Sequence, residues 1–359
     1  MYDLTDSPCW FLGVNSPKGY CSKFDQLFLK SPEGKCFLLK GGPGTGKSTI
    51  LKKVAEALAE KGRDIELVFC SADTGSLDAV IIPDGKFVVA DATLPHSAEP
   101  KYPGIYETTV DLSDCWDKNI LCSNSEEIAE LFDLNRRLHE EARGYLSAAA
   151  NLIEEAAKAG MESLFWGNVE KAALRICHSE IGKGNKKRGT EKQRFLSAIT
   201  EKGTVFMNKT PGIICEKIYA FEDETGAASR VFMNTVRKYA IENGLDIITC
   251  KCPLFPLEKT EHVFIPSQKI GFITVNKRHK TDIPFKRTLH SARFYDREKY
   301  SKQKPKIRFS LRIAEKLIEE ASLRMKEAKT VHDKLENFYI KAMDFSKADE
   351  KLRKIIEEI

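Results

Sequence analysis

No stretch of this 359-residue chain comes near 18 consecutive apolar residues, which excludes an ordinary membrane-spanning helix. The opening Met1-Tyr2-Asp3-Leu4-Thr5-Asp6 lacks the basic and apolar regions of a signal peptide. The ten cysteines include no Cys-x-x-Cys pair; Cys250 and Cys252 are the only close two, and no His or Cys cluster completes a zinc site around them. No disulfide framework is expected. The thiols should be reduced and mostly buried, in a cytoplasmic protein.

What is present describes a folded chain. Hydrophobic residues make up 42% and charged residues 30%, and the length suggests two domains. The net charge of +5 hides an asymmetry: residues 1–182 hold 19 Lys+Arg against 28 Asp+Glu, a balance of −9, whereas residues 183–359 hold 38 against 24, a balance of +14. Two such halves either attract each other or leave the basic one for an anionic partner.

One stretch carries chemistry. Phe37-Leu38-Leu39-Lys40 reads as a buried strand, Gly41-Gly42-Pro43-Gly44-Thr45-Gly46 as a loop, and Lys47-Ser48-Thr49 onward as a helix of regular apolar period. Gly41 to Ser48 satisfies G-x-x-x-x-G-K-[ST], the P-loop pattern. Its glycines let successive N–H groups turn inward around phosphate oxygens, and the helix opening adds its positive end. Lys47 would reach the β- and γ-phosphates, and the Ser48 hydroxyl would ligate Mg²⁺.

Around that loop the chain reads as α/β. The helix should end at Lys61-Gly62. Ile65–Cys70 reads as a strand, Ser71–Asp78 as a polar loop at its carboxyl end, Ala79–Ile82 as a short extended run and Phe87–Asp91 as a strand closing in aspartate. Asp91 is therefore the expected second Mg²⁺ ligand. A strand is expected near Glu107–Leu112. Helix should run from Ser123, with Glu126 completing a capping box, to about Glu180. Gly144 and Gly160 should break it, giving an antiparallel helical pair. Gly182–Gly189 reads as a basic, glycine-rich linker, either a solvated loop or a nucleic-acid contact.

The remainder repeats the first half. Phe11-Leu12 returns as Phe195-Leu196 at an offset of 184, Gly62-x-Asp64 as Gly244-x-Asp246 at 182, and Ile82-Pro83 with His96 as Ile265-Pro266 with His279 at 183. Ala142 and Ala149 return as Ala321 and Ala328 at 179. At 182, Gly44 maps to Gly226, Gly46 to Ala228, Lys47 to Ser229 and Ser48 to Arg230; at 183, Asp91 maps to Thr274. The second copy keeps the fold pattern over Lys217–Phe221, Arg230–Glu242, Asp246–Cys250 and Lys269–Val275, without the phosphate- and Mg²⁺-binding groups.

Gly41–Thr49, Cys70-Ser71-Ala72-Asp73 with Ser76-Leu77-Asp78, Ile81-Ile82-Pro83 and Thr93-Leu94-Pro95-His96 together resemble an uncharacterised bacterial family of tandem P-loop ATPases, over essentially the whole chain. The resemblance implies ATPase or nucleotide kinase activity. The chain departs from the family in its second, degenerate loop, which puts in doubt any mechanism needing two hydrolytic sites.

Four further features have competing readings. Asp73 either accepts a proton from water or a substrate hydroxyl, or is a turn former. His96 senses phosphate, acts as an acid, or is a structural histidine. Arg230 binds an anion at a helix N-terminus, reaches across as an arginine finger, or lies at the surface. Lys277-Arg278-His279-Lys280 with Lys302, Lys304, Lys306 and Arg308, near Phe285, Phe294, Tyr295 and Tyr300, suits a polyanion or balances the acidic half. Ala92 after Asp91 leaves no adjacent carboxylate to orient water, which argues against a fast motor.

The expectation is a P-loop NTPase fold duplicated in tandem: three-layer α/β/α, mostly parallel sheets, with helical extensions. Residues 1–182 form the NTPase domain, 183–193 the linker and 194–359 the degenerate domain. The expected function is Mg²⁺-dependent ATP binding, with GTP left open, and slow or partner-stimulated hydrolysis at the first site. Lys47, Asp91 and Asp73 are the catalytic candidates, Gly41–Thr49 bind nucleotide, and Ser48 and Asp91 hold Mg²⁺. The alternatives are a small-molecule or nucleotide kinase, or a nucleotide-gated scaffold binding a protein or nucleic acid through the basic half.

Overall fold

A computed structural model describes residues 6–27, 34–96 and 98–359; Met1–Thr5 of the opening segment lie outside them. The first half contains β1 (Cys9–Trp10), a hairpin β2 (Gly13–Ser16) and β3 (Gly19–Ser22), β4 (Lys35–Lys40), α1 (Lys47–Glu60), β5 (Glu66–Phe69), β6 (Leu77–Ile81), β7 (Phe87–Asp91), β8 (Glu107–Asp111), α2 (Lys118–Cys122), α3 (Ser125–Met161) and α4 (Trp166–Glu180). The second contains β9 (Glu191–Arg194), a hairpin β10 (Ser197–Thr200) and β11 (Gly203–Phe206), α5 (Thr210–Ile214), β12 (Lys217–Glu222), α6 (Ala227–Glu242), β13 (Ile247–Cys252), β14 (Phe255–Ile265), β15 (Ile270–Val275), β16 (Arg287–His290), α7 (Arg297–Ala342) and α8 (Phe345–Glu357).

Two six-stranded sheets result. Their orders are β1-β5-β6-β7-β4-β8 and β9-β13-β14-β15-β12-β16. In each, one strand, β6 or β14, runs antiparallel to its neighbours and every other pairing is parallel. The fold is α/β with two mixed, mostly parallel sheets, and the registers match. Leu39 pairs with Asp91 as Phe221 pairs with Thr274, and Trp10 pairs with Val68 as Arg194 pairs with Cys250.

The halves meet about equivalent residues. Phe11 and Phe195 exchange both backbone hydrogen bonds at 2.9 Å, the reciprocity of a two-fold interface. A second set obeys the 179 offset: Asp117 N–H donates to Ala342 O and Asp296 N–H to Ser163 O, each at 2.8 Å. Asp344 N–H donates to Cys115 O at 2.8 Å as Phe165 N–H donates to Phe294 O at 2.9 Å.

These bonds accompany an exchange of helices. α3 runs unbroken through Gly144 for 37 residues, and its antiparallel partner is α7, not α4. Asn135 bonds Ala328 O, and Glu162 accepts from Gln303. The pair is sealed by Ala142, Leu146, Ala149 and Ile153 against Ala314, Ile318 and Ala321. The expected pair within the first half is therefore corrected: the apolar stripe is there, but its partner comes from the other half. α4 then packs Val169, Ala173 and Ile176 into the core around Phe232 of α6, and α8 packs Ala348, Leu352 and Ile355 onto α1. The capping box does not form either, because α2 precedes α3 and the Ser123 hydroxyl bonds back to Asn119 O. The last residues assigned to the linker, 191–193, are already strand β9.

Candidate functional site

The glycine-rich loop leaves β4 at the carboxyl end of the sheet and enters α1. Gly44 and Gly46 have φ of +69° and +83°, the left-handed region where a side chain is strained. Gly44 has a second reason: a Cβ there would stand 2.6 Å from the backbone oxygen of Glu336 on α7. Thr45 is buried, and its hydroxyl donates to Gly42 O at 2.9 Å. Thr93, just past β7, ties the loop to that strand by donating to Gly41 O at 2.9 Å.

Lys47 folds back over the loop. Its ammonium donates to Gly41 O at 2.9 Å and Gly42 O at 2.8 Å and lies 3.7 Å from Asp91 Oδ2. Asp91 Oδ1 accepts from Thr93 N–H at 2.8 Å. The Ser48 hydroxyl accepts from Leu77 N–H at 3.1 Å; Thr49 is exposed and Pro43 half-buried. Among the described residues no side chain caps α1, and no acidic residue lies in its first turn. The chain thus brings Lys47, Asp91 and the loop together.

Asp73 stands at the edge of this group. Its carboxylate accepts from Gly75 N–H at 3.1 Å and the Ser76 hydroxyl at 2.9 Å, with Lys329 Nζ at 3.6 Å. Burial pushes its pKa up, but those two donors and Lys329 outweigh it and hold it below the ordinary aspartate value. Its carboxylate closes the turn over Gly75 and Ser76.

The second half folds its counterpart differently. The loop between β12 and α6 is two residues shorter, so Gly226 (φ +74°), not Ala228, takes the place of Gly46. Lys47 and Ser48 then correspond to Ala227 and Ala228, which corrects the pairing of Gly44 with Gly226, Lys47 with Ser229 and Ser48 with Arg230. The position of Gly41 carries Asp223. This buried carboxylate accepts from Ser229 N–H at 2.8 Å and from the Thr225 hydroxyl at 2.8 Å and its N–H at 3.1 Å. The helix opening is filled by an anion of the chain itself. Arg230 makes a two-pronged pair with Glu154 of α3 and lies over the Phe255 ring, so it is engaged elsewhere.

α7 supplies residues that no pattern around the loop announces. Besides Glu336 and Lys329, Tyr339 packs edge-on to Trp116, and a Cβ on Gly42 would stand 3.1 Å from the first ring and 3.4 Å from the second. The Glu336 carboxylate is held below its ordinary pKa by His332 first, against burial, with Lys329 and the Gly44 N–H adding to the effect. In the basic set of the second half, His279, Phe294 and Tyr295 are buried, Phe285 and Tyr300 half-buried, and Arg278 pairs with Glu315 at 2.7 Å.

The class these features define is an α/β protein with a strand–glycine loop–helix unit in one half and a self-filled counterpart in the other. The family model described as "Nephrocystin 3, N-terminal" matches residues 21–80, a span containing β4, the loop, α1 and β5. No curated protein and no solved structure matches the chain. All ten cysteines are free, and six of them are buried. Among the described residues, no helix is long and apolar enough to cross a membrane.

Proposed function

We propose that the chain is a P-loop protein that binds Mg²⁺·ATP at its first half and hydrolyses it slowly or on stimulation by a partner. One contrast carries this reading. Two units of matching topology lie in one chain; Asp223 fills the helix opening of one, and the other is left uncapped with Lys47 beside it. A helix opening whose N–H groups no side chain caps, flanked by a lysine, suits an external anion. The family match on residues 21–80 falls on this same segment and supports an NTPase-like reading.

Ser48 and Asp91 fit Mg²⁺: both offer hard oxygen donors, and one Asp91 oxygen already faces a cation, Lys47. Bound there, the ion would neutralise charge on the β- and γ-oxygens. Lys47 would exchange the Gly41 and Gly42 carbonyls for those oxygens. Glu336 at the Gly44 N–H must give way to phosphate, which fits slow turnover. Lys329 brings a positive charge from the other half to the same rim.

Asp73, with its carboxylate held ionised by Gly75, Ser76 and Lys329, would orient a water or an acceptor hydroxyl. The buried aromatics weaken the nucleic-acid alternative. The test is phosphate release at saturating ATP with and without Mg²⁺, using wild type, Asp91→Asn and Lys329→Ala. Slow Mg²⁺-dependent release, at least about tenfold lower in Asp91→Asn, supports the reading. Release indifferent to both Mg²⁺ and Asp91 would remove it.

A further inference from the structure

A cluster behind the loop plays no part in the nucleotide reading. Cys70 follows β5, Asp78 lies on β6, and His96 follows β7. One ligand atom from each lies within 4.8 Å of the other two, the one such trio among the described residues. Asp78 is 3% exposed and His96 7%. Among the described residues Asp78 Oδ2 has no hydrogen-bond partner, a costly state for a buried carboxylate oxygen.

The His96–Asp78 distance suits an ion better than a hydrogen bond, and the Cys70 thiol lies within hydrogen-bond reach of the same carboxylate. His96 Nε2 is 3.5 Å from Asp78 Oδ1, beyond the usual N–H···O range of about 2.7–3.2 Å. It is close to the edge of roughly 3.4 Å between two ligands of a tetrahedral ion with bonds of about 2.0–2.1 Å. The other imidazole nitrogen, Nδ1, is 2.8 Å from the Tyr20 hydroxyl, the outer partner that orients a metal-bound histidine. The ring is further held by Phe24, with centroids 4.8 Å apart.

The second half is an internal comparison. By strand register Asp78 corresponds to Glu261, Cys70 to Cys252 and His96 to His279, so the three ligand types recur. There, however, Lys259 gives its ammonium to Glu261 at 2.8 Å, both side chains being buried. The first half has Ser76 at the place of Lys259, and Ser76 bonds Asp73 instead. One half bonds a lysine directly to this carboxylate; in its counterpart Lys47 acts on Asp78 only through space.

We propose that Cys70, Asp78 and His96 bind a divalent ion of the zinc class, with the fourth position open to water or a ligand. A thiolate, an imidazole and a carboxylate form a donor set for Zn²⁺, not for Mg²⁺. Binding exchanges the Cys70 thiol proton, released to solvent, for an S–metal bond. Tyr20 acts as a positioning residue through Nδ1.

The test is titration of metal-stripped full-length protein with Co²⁺, which occupies zinc sites and reports a thiolate ligand by near-ultraviolet charge-transfer absorption. No nucleotide is present, so the outcome is separate from that of the nucleotide reading. Wild type should take one Co²⁺ with a thiolate band, displaced by Zn²⁺. Cys70→Ser should lose the band, and Tyr20→Phe should keep it with affinity about 10–100-fold weaker. Cys122→Ser, at an exposed thiol, should match wild type. Absence of the band in wild type, its survival in Cys70→Ser or its loss in Cys122→Ser overturns the proposal, and the wild-type arm needs no variant to fold.

Discussion

Replacing Asp223 with alanine removes the anion that fills the opening of α6. The carboxylate is 2% exposed and accepts from Ser229 N–H, Thr225 N–H and the Thr225 hydroxyl. The hydroxyl keeps Tyr295, 2.9 Å away. The two backbone donors lose their partner, and buried donors left unpaired cost about 1–3 kcal/mol each. The expected loss is therefore about 2–6 kcal/mol, read from urea unfolding. The emptied opening should then accept an external anion: phosphate at tenfold its dissociation constant should return about 1.4 kcal/mol to the variant. The part of this response due to α6 should be absent in wild type. A loss below about 1 kcal/mol, or equal phosphate responses in both proteins, would refute the self-filled loop.

Ile355→Ala removes a fully buried side chain of α8 from the core it shares with α1, and should cost about 2–4 kcal/mol in the same unfolding assay. Glu191, paired with Arg237 and Thr249, is pushed up by burial but held by these partners below its ordinary 4.5. A depressed carboxylate stabilises at neutral pH and loses that contribution as pH falls through its folded value. Glu191→Gln should thus lower stability at pH 7 and flatten the acid limb below about pH 4.5, as melting temperature against pH would record. Glu336→Gln removes a negative charge beside the loop and should tighten nucleotide binding about three- to tenfold, from a screened repulsion of roughly 1 kcal/mol. Unchanged affinity by calorimetry would mean that Glu336 does not compete with phosphate.

Local patterns were read best. β4, α1 with its end at Gly62, and β5 to β8 lie close to where periodicity and turn residues put them, because each element is decided by residues near it in the chain. The repeat offsets of 182, 183 and 184 are the registers of the two sheets, and 179 governs the exchanged helices. The exchange itself left no local signal. The stripe of Ala142, Leu146 and Ala149 says that a face is buried, not which helix buries it. That choice also hid Lys329, Glu336 and Tyr339 from any reading centred on the loop. The two-residue shortening before α6 was hidden because Gly226 fits a glycine of the first loop in either alignment. Nothing in the sequence separates Asp223 from other loop aspartates; its carboxylate on the Ser229 N–H does. Phe294 and Tyr295 looked available beside basic residues but belong to the core.

The central claim is that one external nucleotide binds at the first loop and none at the second. Equilibrium titration of the whole chain with ATP, with and without Mg²⁺, tests it most directly on wild type and Lys47→Ala. The account predicts one Mg²⁺-dependent site per chain. Lys47→Ala should weaken it about 10–100-fold, as losing a charge-assisted contact worth roughly 1.5–3 kcal/mol requires. Two sites, or one site untouched by Lys47→Ala, would contradict it.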